Sequence, residues 1–348
     1  NLYTLRGTPY RDPMQWVATI DWIRHVLRPR AVVPHHGHPL TDADAIDDVL
    51  TAYRDAIQFT HDQTVRFINQ GFGPEEIALK LTLPEHLAQH PWLGEFYGTL
   101  SHCIPAIYVG KMGWFSGDPV DLDPLPKAER AARMVRLMGG VETVAEEASR
   151  AYEQGDYLWA AEMLAYLVSL DPEDSSARKA RAQALRGWSY AQSNPNWRNW
   201  GLSCAMELDP PAADQSARKQ LVMAPPAVIN AFPPGNILRG MATRLKVEDT
   251  DSRHVTVGFH IVDKGLHHAL ELRRCVCEFH AQAPATLDVD LSFERSFLTA
   301  LVSGQTNWVA GIEAGDVVLR AGTAEAAKAF FACFEPPRAP HTISLVSR

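Results

Sequence analysis

The sequence predicts a multi-domain protein made of the end of an α/β unit, a long all-α segment and a compact α+β domain. Three observations predict it. A length of 348 residues suggests about two domains and allows three. Helical periodicity takes over at Thr41 and persists for about 160 residues. From Val255 onward, β-rich segments separated by turn residues replace it. The composition agrees, because 46% hydrophobic and 21% charged residues describe a globular protein with apolar material for more than one core. A balance of 33 basic and 41 acidic side chains, net −8 and without a basic run, argues against a nucleic-acid surface.

Leu2 to Leu5 reads as a strand ending at Arg6-Gly7. Asp12-Pro13 then starts a helix carrying Trp16, Ile20, Ile23 and Leu27 at helical spacing, and Pro29 stops it. Ala31 to Val33 is the next expected strand. Such a strand, helix, strand pattern places ligands at strand carboxyl ends. Here the second strand delivers Pro34-His35-His36-Gly37-His38, three histidines on a loop bounded by proline and glycine. Imidazoles on such a loop suit metal or catalytic chemistry, while a solvated His-rich turn is the alternative. Nothing nearby in sequence completes a ligand set. The chain opens on Asn1 without a Met and in mid-domain, so processing or truncation upstream is expected.

Thr41-Asp42 caps a long helix carrying Ile46, Leu50, Tyr53, Ile57, Val65 and Ile68, closed by Gly71-Phe72-Gly73-Pro74. That Gly-x-Gly reads as a helix stop, since no strand precedes it to make a phosphate loop. A short helix follows from Glu75 to Leu81. Tyr97, Ser101 and His102 lie in a stretch that either reaches an anion or forms a packed aromatic helix. Ala151 through Asp171-Pro172 has the pattern of one tetratricopeptide-type helix pair, with a third helix from Ser176 to Trp188. One unit is too few for a solenoid, so packing or dimerisation is the expected role.

Asn194-Pro195-Asn196 marks a bend, and the prolines after Asp209 and Ala224 bracket a linker. Beyond it, Val255–Val262, Leu270–Phe279, Ala285–Leu291 and Val317–Leu319 read as strands, with helices at Phe293–Ser303 and Ala324–Phe334. Sheet and helices of this kind can enclose an apolar pocket. Five cysteines, an odd count, indicate no disulfide framework. Cys275 and Cys277 fall on one face of an expected strand and read as buried apolar residues, with no zinc-finger partner pair. No run of 18 apolar residues offers a membrane span.

Five ordered blocks carry a resemblance along the chain. They are Asn1-Leu2-Tyr3-Thr4-Leu5-Arg6-Gly7, Val33-Pro34-His35-His36-Gly37-His38-Pro39-Leu40, Phe96-Tyr97-Gly98-Thr99, Gly113-Trp114-Phe115-Ser116-Gly117-Asp118-Pro119 and Arg198-Asn199-Trp200. Together they resemble the carboxyl-terminal two-thirds of the metallo-β-lactamase-type alkyl sulfatases, the dodecyl sulfate hydrolases. The resemblance implies three parts: residues 1–45 as the end of a metallo-β-lactamase-like domain, 46–210 as an α-helical dimerisation domain, and 211–348 as a domain like sterol carrier protein 2. It implies hydrolysis of linear alkyl sulfate esters to alcohol and sulfate, a homodimer, and two zinc ions in the full-length enzyme.

Carried over by position, the resemblance makes His36 a zinc ligand, with His38 ranked second and His35 third. Arg6, Tyr97 and His102 become the sulfate-binding residues, and His102 also the catalytic group that protonates the leaving oxygen. A guanidinium suits this task because its paired N–H groups grip a tetrahedral oxyanion. The family's His-x-His-x-Asp-His cluster is absent, since Leu40 and Thr41 stand where Asp and His would be required. The 348 residues alone are therefore expected to show no turnover. The competing class is a non-catalytic dimeric carrier that holds an aliphatic ligand in its carboxyl-terminal domain.

Overall fold

The computed structural model describes residues 2–3, 5, 10–210, 225–250 and 253–336. The chain divides into two compact units near residue 212. In the first, α1 (Pro13–Trp22) starts where Asp12 accepts a hydrogen bond from the Met14 N–H at 2.8 Å, with Pro13 at the first helical position. It runs into a π-helical turn, Ile23–Leu27, and Arg28 ends it in the left-handed conformation. Helix α2 (Ala43–Ile68) is capped by Asp42, as its sequence leads one to expect. Next come α3 (Pro74–Lys80), α4 (Glu85–Ala88) and α5 (Leu100–Met112). Leu2, Val17, Ile20, Ile57, Cys103 and Ile107 form a shared core that clamps α1, α2 and α5 together. Each such side chain contributes about 1.5–3 kcal/mol on burial.

Two expectations fail here. Leu2–Leu5 and Ala31–Val33 are not sheet strands among the described residues; the second makes only one bridge, Val32 to Leu40, with hydrogen bonds of 2.8 and 2.9 Å. A strand needs a neighbour for its backbone groups, and among the described residues neither segment has one beyond this bridge. The aromatic stretch is helical only in part: Ser101 and His102 lie on α5, whereas Phe96–Thr99 is outside it. Phe96 and Tyr97 are exposed, and α5 begins only at Leu100.

The first unit continues with α6 (Lys127–Leu137), α7 (Val141–Glu153), α8 (Tyr157–Leu170), α9 (Ser175–Tyr190) and α10 (Pro195–Leu208). Helices α7, α8 and α9 each pack on the next. Ala160 and Ala184 are fully buried, and such small residues let these helices approach closely. Gly201 on α10 is the tightest point, because a Cβ there would lie 2.1 Å from Ser189 Oγ of α9.

Among the described residues, the second unit opens with α11 (Pro226–Ala231) and α12 (Pro234–Met241) and centres on a five-stranded mixed sheet. Its strands are β1 (Val255–Ile261), β2 (Leu266–Arg273), β3 (Val276–His280), β4 (Val289–Phe293) and β5 (Val318–Ala321). The order is β3-β2-β1-β4-β5, with β1 and β4 parallel and the other pairs antiparallel. Helices α13 (Arg295–Val302), α14 (Trp308–Ala314) and α15 (Ala324–Ala332) complete it. Alternation puts Val257, Phe259, Leu270, Leu272, Leu291 and Phe293 into the core and leaves polar side chains on the opposite face.

Two corrections arise here as well. Leu270–Phe279 is a hairpin and not one strand: Arg274 and Cys275 take φ of +48° and +60° and reverse the chain. Left-handed turn positions usually announce themselves as Asn or Gly, and this pair does not. Cys275 is thereby exposed, while Cys277 is buried and its thiol pKa is pushed up to about 12 by desolvation. Aromatic side chains pack between sheet and helices, and a cavity of about 560 Å³ opens beside Phe293, Phe297 and Ala300. Trp308 stacks on Phe331 at 4.6 Å, and Phe259, Phe293 and Phe297 close around it.

Candidate functional site

The sequence-derived site residues fall in two places, and one lies outside the described residues. That one is Arg6. His35, His36 and His38 are exposed on the turn between Val32 and Leu40. Gly37 makes the turn with φ +104°, and its α-carbon faces the Trp92 ring, which a Cβ would meet at 3.1 Å. The loop thus presents imidazoles to solvent from a backbone pinned by an indole. Whether zinc fits can be tested on the donor set. Among the described residues, no group of three His, Cys, Asp or Glu ligands forms around this loop. His36 and His38 alone do not make a zinc site.

Tyr97 and His102 are brought together by helix capping. Thr99 is the N-cap of α5, and its Oγ1 accepts from the His102 N–H. The imidazole folds back on the same residue, with Nδ1 2.9 Å from Thr99 Oγ1 and Nε2 3.4 Å from the Thr99 backbone N–H. The indole N–H of Trp197, on α10, points at Nδ1 from 3.4 Å, and Tyr3 meets the ring edge-on. Burial lowers the His102 pKa, so the neutral ring is favoured.

Asn194 is the residue that sequence reasoning missed. It is only 4% exposed and caps α10, its Oδ1 accepting from Asn196 and Trp197 N–H groups at 2.9 and 3.2 Å. Its Nδ2 donates to the Glu95 and Tyr97 carbonyls at 2.9 and 3.3 Å, and Asn196 adds a bond to Tyr97 at 3.1 Å. Glu95 in turn accepts from the Leu100 N–H at 2.6 Å. One buried amide therefore fixes the Glu95–Thr99 loop to α10 and sets Trp197 beside His102. The signal was present as Asn followed by Pro, a helix start rather than a bend. Tyr97 contributes its carbonyl to this lattice, and its half-exposed side chain is left available.

Residues 73–210 match the family description "Alkyl sulfatase dimerisation", and residues 222–343 match "Alkyl sulfatase C-terminal". The chain is 38% identical, over 99% of its length, to a protein named linear primary-alkylsulfatase from Pseudomonas sp., of which it covers 66%. The chain belongs to the alkyl sulfatase family. An alkyl/aryl-sulfatase of Saccharomyces cerevisiae is 29% identical over 89% of this chain, which covers 47% of that protein. Among solved structures, the stereoselective inverting sec-alkylsulfatase of Pseudomonas sp. superposes with a TM-score of 0.82 at 28% identity, covering 96% of this chain and 52% of its own. The chain thus spans about half to two thirds of the length of these alkyl sulfatases. The capped His102 corner and the α6–α10 helices all fall within the dimerisation match, and the mixed sheet within the C-terminal match.

Proposed function

We propose that this chain is a portion of an alkyl sulfatase that hydrolyses linear alkyl sulfate esters, such as dodecyl sulfate, to alcohol and inorganic sulfate. The observation that carries the reading is the 38% identity to a linear primary-alkylsulfatase along 99% of the chain. In this reading Arg6 binds the sulfate with Tyr97 and His102. His102 is held neutral by burial, so at neutral pH it hydrogen-bonds the ester and serves as a proton acceptor more readily than as a standing acid. Protonation of the leaving oxygen by this ring then requires that it first gain a proton during the reaction. The exposed apolar side chains Phe96, Trp114 and Phe115 offer contact surface for the alkyl tail.

Zinc belongs to the proposal for the whole enzyme: a dinuclear centre in a metallo-β-lactamase-like domain, with His36 as one ligand. The described residues do not complete that centre, so no chemical step is assigned to it here. The same reading includes a homodimer formed through the helical domain, with α7 and α8 read as a tetratricopeptide-like helix pair, and a sheet domain read as like sterol carrier protein 2.

The test is metal analysis and sulfate release from dodecyl sulfate by a full-length form, beside the 348-residue chain. The expected result is turnover and two more equivalents of zinc in the first than in the second, with no turnover in the second and Arg6→Ala abolishing turnover in the first. A full-length form that binds zinc yet releases no sulfate would end the hydrolase reading.

A further inference from the structure

The exposed face of the mixed sheet carries a second, different histidine cluster. Antiparallel pairing sets Glu271 of β2 directly opposite Glu278 of β3, with His280 along the same face of β3. Glu271 is the hub. Its Oε2 lies 2.9 Å from His280 Nε2, and its Oε1 lies 2.9 Å from His254 Nε2 and 3.1 Å from Arg273 Nε. Arg273 also pairs with Glu278. One ligand atom from each of Glu271, Glu278 and His280 lies within 4.8 Å of the other two, and it is the one such trio among the described residues.

We propose that Glu271, Glu278 and His280 form a binding site for a divalent transition metal, best suited to zinc, with His254 as the fourth ligand. Mixed imidazole and carboxylate donors match that ion. Tetrahedral coordination with bonds of about 2.1 Å needs ligand atoms about 3.4 Å apart; the trio lies within 4.8 Å, with Glu271 Oε2 and His280 Nε2 at 2.9 Å, so the side chains must shift to reach it. The side chains can do so: Glu278 is exposed, His254 is more so, and the two strands beneath them are rigidly paired. What holds the place now is the Arg273 guanidinium, bridging the two carboxylates as a cation. A cavity of about 400 Å³ lined by Arg253, His254, Arg273 and Arg274 adjoins it. The metal replaces one positive charge by two between the same carboxylates. The site is independent of the His36 loop and does not rest on the hydrolase reading.

The experiment is zinc titration of the 348-residue chain by calorimetry, in a background where His35, His36 and His38 are all alanine. One equivalent of Zn²⁺ is expected to bind. His280→Ala should remove it or weaken it about tenfold or more, as losing a ligand or its support does. Arg273→Ala should tighten it, a gain that a merely misfolded variant cannot produce. If the loop-silenced chain binds no zinc, or binds it equally well after His280→Ala with Arg273→Ala changing nothing, the proposal is wrong.

Discussion

Replacing Asn194 separates two jobs done by one side chain. Its oxygen caps α10 and its amide nitrogen ties down the Glu95–Thr99 loop. Removing both with Asn194→Ala loses a cap worth ~1 kcal/mol. It also loses two hydrogen bonds to carbonyls, at ~1 kcal/mol each. Some of the second cost is recovered by water, because Glu95 and Tyr97 are exposed residues. The expected destabilisation is therefore about 2–3 kcal/mol. Asn194→Ser keeps an N-cap oxygen but cannot reach the loop, so it should cost roughly 1–2 kcal/mol, all from the tether. Urea unfolding followed by far-ultraviolet circular dichroism measures both, fitting the two units as separate transitions. Limited proteolysis between Glu95 and Thr99 should accelerate in both variants alike. If Ala and Ser are equally damaging, the cap contributes nothing; if neither departs from wild type by 0.5 kcal/mol or more, roughly the scatter of a neutral surface substitution, the account of this corner is refuted.

Other perturbations probe the remaining links. Trp308→Ala should destabilise the second unit by about 3–5 kcal/mol, read as a lower midpoint of its own transition, because the ring is stacked on Phe331 inside the aromatic core. Gly322→Ala should be costly despite adding one methyl: φ is +84°, and the new Cβ would lie 2.4 Å from the Asp288 carbonyl oxygen, so thermal unfolding should shift down. Burial lowers the His102 pKa, so the unfolded chain binds this proton more readily; stability should be full above the ordinary imidazole value of about 6.5 and fall as pH drops through it, and His102→Gln should flatten that slope in urea midpoints taken across the range. Asp263 works in acid. Its pKa is lowered chiefly by the Arg295 N–H it accepts at 2.7 Å, so its contribution is present above the usual carboxylate range and lost as pH falls through the lowered value, and Asp263→Asn should remove that part of the acid sensitivity.

Local chemistry made much of the helical part legible. Asp12-Pro13 and Asp42 mark helix starts because a side-chain oxygen must satisfy free N–H groups, and that requirement is written within a few residues. The β-rich zone from Val255 was legible as strands for a similar reason, since alternation is also local. Failures came where a neighbour decided. Ala31–Val33 has strand composition but among the described residues finds only Leu40 as a partner, in a single bridge. The Arg274-Cys275 reversal was invisible because the turn is imposed by β2 pairing with β3, against the preference of both residues.

The candidate sites divide along the same line. The amino-acid order by itself determined that His35, His36 and His38 share one loop and that Tyr97 and His102 are near neighbours, because covalent spacing guarantees both. Only the tertiary structure could place Asn194 against residue 97, bring Trp197 to His102, and gather His254, Glu271, Glu278 and His280 on one sheet face. Those meetings cost chain entropy across long separations, and helix packing and strand register, which no short stretch encodes, supply the free energy that offsets it.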